Sequence, residues 1–320
     1  FVQSAIRPHI AGRFSDMLEA VMTHPGMLLY LNQTNSVGPN SVAGKRRDRG
    51  LNENLAREAL ELHTLGVNGR YSQNDVRNLA LVLTGLSADQ NGFLYRNAIA
   101  EPGRHTVLGK SYGGPAKTLD HVRAALSDIA RHDDTAQHIA TKLVTHFVGS
   151  PANADLVDTV ASAFRNSDGN LTATYRALLM HDAAWEPELK KAKPPLEFVA
   201  SSLRAANVTK AEIDKLSPQE LRNGLGGALR DMGQMPFLPP GPDGWSEDPA
   251  AWITPPLLAA RIRWAASFAE RIAPNHDPRA FLETTLADAA SDKLTFAVSG
   301  AESRVEGLAL TLVSPEFNRR

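Results

Sequence analysis

Helix-start signals recur along this chain, and each is followed by apolar residues at helical spacing. Ser217, Pro218 and Glu220 form one of them, with a Ser at the N-cap, a Pro at the first helical position and a Glu three residues after the cap. Leu221 and Leu225 then continue one apolar helix face. Comparable starts stand at residues 25, 72, 195 and 254. The sequence therefore predicts an all-α fold, a multi-helix globular body.

Two stretches lack this helical pattern. Residues 32–50 are rich in Asn, Ser, Gly and Arg, and residues 233–252 carry five prolines together with Trp245 and Trp252. Because prolines at this density cannot sit inside a helix or a central strand, both stretches are predicted to be long ordered loops. Residues 93–112 also lack helical spacing, and there we expect at most a small β-hairpin. We expect one large helical domain over residues 1–320, with sub-lobes at 1–190 and 196–320.

Composition excludes several classes of function. The chain has no cysteine, which excludes disulfides, thiolate nucleophiles and Cys-based metal sites. A net charge of −1 gives no overall attraction for nucleic acid, so we expect no nucleic-acid partner. No apolar run approaches the roughly 18 to 20 residues of a transmembrane segment. No nucleotide-binding motif is present, and the sequence indicates no particular cofactor.

Although the net charge of the chain is close to zero, the first of the two loops contains one dense run of basic residues. It consists of Lys45, Arg46, Arg47 and Arg49. We predict that this run lies in a solvated loop, and the alternative is a site for phosphate or a partner.

The most polar helix is predicted between Asn52 and Leu65. On a helical wheel, Glu53, Asn54, Arg57, Glu58 and Glu61 occupy one arc, and leucines and alanines fill the other side. Two interpretations stay open. The arc is a solvated face with weak pairs between residues four apart, or it is a carboxylate cluster facing a cleft, where like charges raise one pKa. In the second case the candidate catalytic residues are Glu58 and Glu61 as acid or base and Arg57 as an anion clamp.

Further candidates lie on and beyond this helix. His63 falls on the apolar side of the wheel, where a hydrogen-bonded core histidine and a metal ligand are the two alternatives. His9 follows a backbone-fixing proline and is the second candidate metal ligand. The glycine-rich stretch 224–227 lies inside a helical pattern and is predicted to be a close-packing stretch. The candidate ligand-binding residues are Arg7, His9, Asn52, Glu53, Asn54 and Trp245.

Segments along the whole chain resemble those of one bacterial family. The longest is 52–66 (NENLAREALELHTLG), and the others occur in the family's order. They are 6–9 (IRPH), 24–28 (HPGML), 36–41 (SVGPNS), 83–85 (LTG), 101–103 (EPG), 107–110 (VLGK), Lys142-Leu143 with His146-Phe147, 195–199 (PLEFV), 233–236 (GQMP), 239–245 (PPGPDGW) and 314–317 (SPEF). On these segments the chain is identified as a member of the family known as domain of unknown function 1800.

The resemblance carries its own expectations. Family members start well before the equivalent of Phe1, so we expect this chain to be the C-terminal two-thirds of a longer protein, and the N-terminal remainder could contribute to any site. Members are commonly exported, which implies a periplasmic or extracellular location. They are often encoded beside domain of unknown function 1501, whose resemblance to the sulfatase and alkaline phosphatase group implies a protein partner. One departure is Ala100, where many members have a His before Glu-Pro-Gly, so a ligand role at that position is not carried over.

Two functions follow from these observations. The first is an accessory, binding or scaffold module of the bacterial envelope that uses the two loops to hold a partner. The second is a metal-assisted or carboxylate acid/base hydrolase with its site around residues 52–63. The sequence decides neither whether the protein is an enzyme nor which metal it would hold.

Overall fold

The computed structural model describes residues 1–46 and 50–320, so Arg47 and Arg49 of the basic run lie outside the described residues. The described chain divides into two compact units. Unit 1 comprises residues 1–147 and 152–185, and unit 2 comprises residues 148–151 and 186–320. The expectation of a single large domain stays a prediction.

Helices form most of both units, in agreement with the predicted helical fold. Unit 1 contains α1 (Phe14–Met22), α2 (Pro25–Tyr30), α3 (Asn54–Glu58), α4 (Gln73–Leu83), α5 (Leu119–Ala130), α6 (Asp133–Phe147), α7 (Ala154–Asn166) and α8 (Leu171–Leu179). Unit 2 contains α9 (Pro195–Ala205), α10 (Lys210–Asp214), α11 (Pro218–Glu220), α12 (Gly227–Asp231), α13 (Pro255–Ile272), α14 (Pro278–Leu286), α15 (Asp292–Ser299), α16 (Arg304–Val313) and α17 (Pro315–Asn318).

Tighter and wider helical turns supplement these α-helices. In the part of the chain that the structure describes, three segments are π-helical, namely Val2–Ile6, Ala59–His63 and Leu221–Gly226. The 3₁₀ turns are Arg7–His9, Gln33–Asn35, Asn97–Ile99, Asp182–Trp185, Pro249–Ala251, Ala273–Asn275 and Ala287–Ala289.

The predicted helix starts are confirmed where local side chains determine them. The hydroxyls of Ser72 and Ser217 each accept a hydrogen bond from a backbone N–H three residues on, and the carboxylate of the acidic residue at that position accepts one from the backbone N–H of the Ser. These reciprocal bonds satisfy amides that a helix start otherwise leaves unpaired. His24 also begins a helix, because its Nδ1 accepts the N–H of Gly26 at 3.0 Å.

The strands correct the prediction of at most one small hairpin. The described residues form two antiparallel hairpins, β1 (Leu86–Asp89) with β2 (Gly92–Tyr95), and β3 (Gly103–Val107) with β4 (Lys110–Gly114). The first was missed because β1 is a short, mostly buried run directly after α4, without an alternating pattern. In the second, Leu108 and Gly109 both adopt positive φ, at 50° and 78°, which suits a two-residue hairpin turn.

Each unit has its own hydrophobic core. In unit 1, apolar faces of α1, α3, α4 and α5 pack together with β1 and the inner side of the second hairpin. In unit 2, α9, α12, α13 and α16 enclose a core that contains Phe198, Phe268 and Phe317. Among the described residues, no helix is long and apolar enough to cross a membrane.

Both predicted loops are ordered where they are described, but the glycine stretch 224–227 does not close-pack. Gly224 is exposed, and a Cβ built on it would meet no heavy atom within 4 Å. The prediction of a close-packing stretch is therefore wrong. These glycines lie in a π-helical segment and the start of α12, on the surface of unit 2.

Candidate functional site

The polar arc predicted on the 52–65 segment forms a connected network in unit 1. Arg57 contacts Glu53 at 3.6 Å and Glu61 at 3.1 Å, and its second amino group donates to Gln73 Oε1 at 2.9 Å. Gln73 Nε2 donates in turn to Glu53 Oε2 at 2.9 Å. Side-chain exposure of 27–39% for the charged members leaves these pairs open to water. The arrangement has the form of the solvated face, in which such pairs contribute little.

The remaining polar residues of this segment lie around the network. Asn54 is exposed, whereas Glu58 is half-buried on the same helix. Asn52 joins the start of α3 to the end of α2 by hydrogen bonds, since its Nδ2 donates to the carbonyls of Leu31 and Asn32 at 2.9 and 3.0 Å. Its Oδ1 accepts the N–H of Asn54 at 3.0 Å. The amide of Asn52 is thus used in joining the first loop to α3.

The helix changes geometry in its second half. From Ala59 to His63 it is π-helical, with a wider turn than the wheel assumes. His63 is half-buried, and burial lowers its pKa, with further lowering from the nearby His138 and Lys142. His138 Nε2 lies 3.2 Å from the carbonyl oxygen of Leu62. His63 therefore lies in a basic surrounding and is neutral near pH 7.

The other predicted ligand residues are dispersed. Arg7 and His9 belong to the 3₁₀ turn that precedes α1, and Arg7 is exposed. Trp245 lies in unit 2, where its ring packs against Trp252 at 6.1 Å between centroids. Among the residues that the structure describes, no group of three His, Asp or Glu side chains could hold a metal ion. A metal role for His9 and His63 stays a prediction.

A second polar cluster, centred on Glu101, was not predicted as a site. Glu101 is only 2% exposed. Its Oε2 accepts the N–H of Asn40 at 2.8 Å, its Oε1 accepts Asn40 Nδ2 at 2.6 Å, and its own N–H donates to Thr84 Oγ1 at 2.7 Å. A Cβ on Gly38 would come within 2.6 Å of Glu101 Oε2, so only glycine fits there. Glu101 thereby fixes the first loop to the body of unit 1.

Two basic groups face this carboxylate. Lys117 is 6% exposed, and its Nζ donates to the carbonyl of Leu81 at the C-terminal end of α4. Burial lowers the pKa of Lys117 to about 7, against an opposing effect of Glu101. Burial and Lys117 lower the pKa of His105, whose Nε2 is buried without a hydrogen-bond partner among the described residues. We call Glu101, Lys117 and His105 the Glu101 cluster.

Three of the family-like segments contain a sequence signal for this cluster. The segments 36–41, 83–85 and 101–103 resemble family segments, and each supplies a group that touches Glu101 or is Glu101 itself. Their convergence is a property of the folded chain, because Asn40 and Glu101 are 61 residues apart. A buried carboxylate beside an amine with a strongly lowered pKa is the kind of arrangement found at functional sites.

The fold and these clusters define a mostly helical protein with two compact units. Among the described residues of unit 1, the most deeply buried charges surround the junction of a loop and a hairpin. The family model described as "Protein of unknown function (DUF1800)" matches residues 1–319, so the match extends over the whole chain. The chain belongs to this family, which confirms the resemblance. No curated protein and no solved structure matches the chain significantly.

Proposed function

We propose that this chain is an exported accessory module of the bacterial envelope that binds a protein partner through the Pro/Trp loop of residues 233–252. The exported location, periplasmic or extracellular, and the choice of partner rest on the family resemblance. That partner would be the protein of domain of unknown function 1501, which resembles the sulfatase and alkaline phosphatase group. The observation that carries the binding role is the exposure of Phe237.

Phe237 is presented to solvent in a conformation that costs free energy. Its side chain is 99% exposed, and the following Leu238 is 66% exposed. Phe237 adopts a φ of +61°, which is rare for a bulky residue and costs roughly 1–2 kcal/mol. A solvent-exposed aromatic ring at a strained position gains nothing for folding. Binding in an apolar pocket of a partner would offset both the strain and the exposure.

The turn that carries Phe237 is itself well defined. The N–H of Leu238 donates to the carbonyl of Met235 at 3.1 Å, which places Pro236 and Phe237 at the centre of the turn. Proline suits the first central position, whereas a positive φ at the second is normally supplied by glycine or asparagine. Phe237 is therefore a large apolar residue at a position whose backbone conformation favours glycine or asparagine.

The rest of the loop is fastened to unit 2. Trp252 is 5% exposed and its indole N–H donates to the carbonyl of Ser246 at 2.9 Å. Glu247 pairs with the buried Lys191, and Gln234 Oε1 accepts the N–H of Leu196 at 2.7 Å. Because these anchors lie on both sides of the tip, the tip is held in place before any partner binds. Such pre-organisation lowers the entropic cost of association.

The test titrates a protein of domain of unknown function 1501 against the wild type and a Phe237→Asp variant. We expect Phe237→Asp to weaken binding at least tenfold, because an aromatic residue at the centre of an interface typically contributes about 2 kcal/mol or more. Phe296→Asp is the matched control, since Phe296 is also in unit 2 and is 82% exposed. Equal affinities for wild type and Phe237→Asp would reject the proposal.

A second variant separates binding from folding. Phe237→Gly removes the ring and relieves the positive φ, so we expect a stability equal to or up to about 1 kcal/mol above that of the wild type. Its affinity for the partner should fall as far as that of Phe237→Asp. Thermal denaturation measured beside the titration checks both expectations.

Acid/base chemistry is a second candidate function. The lowered pKa of Lys117 makes the Glu101 cluster a better candidate site for it than the polar arc of α3. An amine with a pKa of about 7 can take up or release a proton near neutral pH, and Glu101 and His105 lie close to it. The alternative hydrolase at Glu58 and Glu61 has weaker support, since Glu61 is engaged with Arg57. Competitive acetylation of the amines as a function of pH tests the Lys117 role. Lys117 should show a midpoint near pH 7, well below the ordinary lysine value of 10.5.

A further inference from the structure

Two adjoining cavities line the surface of unit 2 beside α13. The larger has a volume of about 680 Å³ and is walled mainly by apolar side chains, including Leu203, Ile213 and Phe268. The smaller has a volume of about 360 Å³ and a mainly polar wall. Trp264, Asn223, Gly224 and Arg271 border both, so the cavities form one continuous groove. Its size falls in the range of small-molecule sites.

The apolar chamber has an aromatic wall. The rings of Trp264 and Phe268 stack at 5.0 Å between centroids with an angle of 8° between their planes. Phe198 also contacts Trp264, in an edge arrangement with 5.5 Å between ring centroids. Because both contacts restrain the indole, this aromatic wall is a fixed apolar surface along which a hydrocarbon chain can lie.

Charge is distributed unevenly along the groove. The polar chamber is lined by Arg263 and Arg271 and by one acid, Asp231, which gives it a net charge of +1. Within the part of the chain that the structure describes, neither arginine forms an ion pair within 4.0 Å. At the rim of the apolar chamber, Glu212 and Glu220 each accept a backbone N–H at 2.7 Å in a helix cap. An anionic group is therefore repelled at the apolar end and attracted at the arginine end.

We propose that this groove binds an amphipathic anion, with its hydrocarbon chain in the apolar chamber and a carboxylate or phosphate head between Arg263 and Arg271. The head and tail meet at Trp264, which borders both chambers. The guanidinium of Arg271 lies 5.8 Å from the ring of Phe268, at the point where the head would leave the aromatic wall. The inference is independent of the Phe237 tip and of the proposed partner.

The wall formed by the π-helical segment Leu221–Gly226 allows the groove to be closed by a single substitution. Gly224 does not have a positive φ, and its added Cβ would point into open space, so a leucine there causes no backbone strain and fills the junction of the two chambers. Gly300 provides the matched control, because it is exposed in the same unit and its Cβ would make only an ordinary contact at 3.5 Å.

The experiment titrates the full chain with a fluorescent polyene fatty acid, with its methyl ester, and with a lysophosphatidic acid that displaces the bound fatty acid. We expect the fatty acid to bind at least tenfold more tightly than the ester, since only the acid carries a charge for the arginines. Arg263→Gln with Arg271→Gln should remove that preference, so that the acid binds no more tightly than the ester. Displacement by the lysophosphatidic acid at lower concentration than by free fatty acid would identify phosphate as the preferred head, and the reverse would identify carboxylate.

Two comparisons decide the location of the ligand. Gly224→Leu should reduce the affinity for both acid and ester at least tenfold, and Gly300→Leu should change neither. No binding of any probe to the wild type overturns the proposal, as does equal binding of acid and ester. Unchanged binding in Gly224→Leu would place the ligand elsewhere and also overturn it. Circular dichroism of each variant confirms that the helices are retained, and a second occluding variant, Gly227→Leu, replaces Gly224→Leu if that protein does not fold.

Discussion

The polar arc of α3 and the Glu101 cluster both place carboxylates beside cations in unit 1, but water reaches them very differently. Arg57 and its partners are 27–39% exposed, whereas Glu101 and Lys117 are 2% and 6% exposed. In the arc, high dielectric screening makes each pair weak and replaceable. In the cluster, each charge must be satisfied by named partners, or folding loses several kcal/mol. Burial, and not the number of charged residues on a helix, therefore decides where charge matters most to stability.

Removing the charge of Glu101 should give the largest difference between the two regions. A Glu101→Gln variant keeps the size of the side chain, but its new NH₂ group opposes the donors of Asn40 and leaves Lys117 without a nearby negative charge. We expect the free energy of unfolding to fall by about 3 kcal/mol. Urea denaturation of the full chain measures this loss.

The matched control is Glu61→Gln in the polar arc. It removes one pair with Arg57 and should cost no more than about 0.5 kcal/mol. Similar losses for the two variants would show that burial does not separate the two regions as argued.

The pH dependence of Lys117 should give the next largest effect. Its folded-state pKa is about 7 and its ordinary value is 10.5, so between these pH values the unfolded chain binds a proton that the folded chain does not. Stability from this group therefore rises as the pH increases above 7, by at most about 1.4 kcal/mol per pH unit. It is lowest below pH 7, where a buried ammonium must be maintained.

A Lys117→Met variant tests this sign. Between pH 7 and 9 the wild type should gain stability relative to Lys117→Met, as measured by urea denaturation at each pH. Lys110→Met is the control, because Lys110 is 63% exposed and pairs with Asp128, and this variant should follow the wild-type pH profile. Parallel profiles for wild type and Lys117→Met would contradict a lowered pKa for Lys117.

Local signals within one helical turn predicted the helices well, and pairing between separate segments explains what they missed. Ser72 with Asp75 and Ser217 with Glu220 act within one helical turn, so spacing alone revealed them. β1 follows α4 as a short buried run, which periodicity cannot distinguish from more helix. The π-helical geometry from Ala59 to His63 departs from the α-helical spacing that a wheel assumes.

The candidate site was predicted only in part for the same reason. A helical wheel correctly grouped Glu53, Arg57 and Glu61, because they share one helix. It could not reveal Gln73, which joins the network from α4, or the meeting of Asn40 with Glu101. Burial is a property of the assembled unit, so the sequence could not distinguish an exposed arc from an enclosed cluster.

The smallest expected effect belongs to Arg57, and it tests whether the polar arc has a role other than stability. Arg57→Met removes the contacts with Glu53, Glu61 and Gln73 but keeps the apolar stem that covers the helix. We expect a loss of about 0.5–1 kcal/mol, measured by urea denaturation and reduced further in 0.5 M salt, because screening already weakens these pairs in the wild type. A loss above about 2 kcal/mol would show that the arc behaves like the buried cluster. A loss of partner or ligand binding without a matching loss of stability would instead assign the arc to recognition.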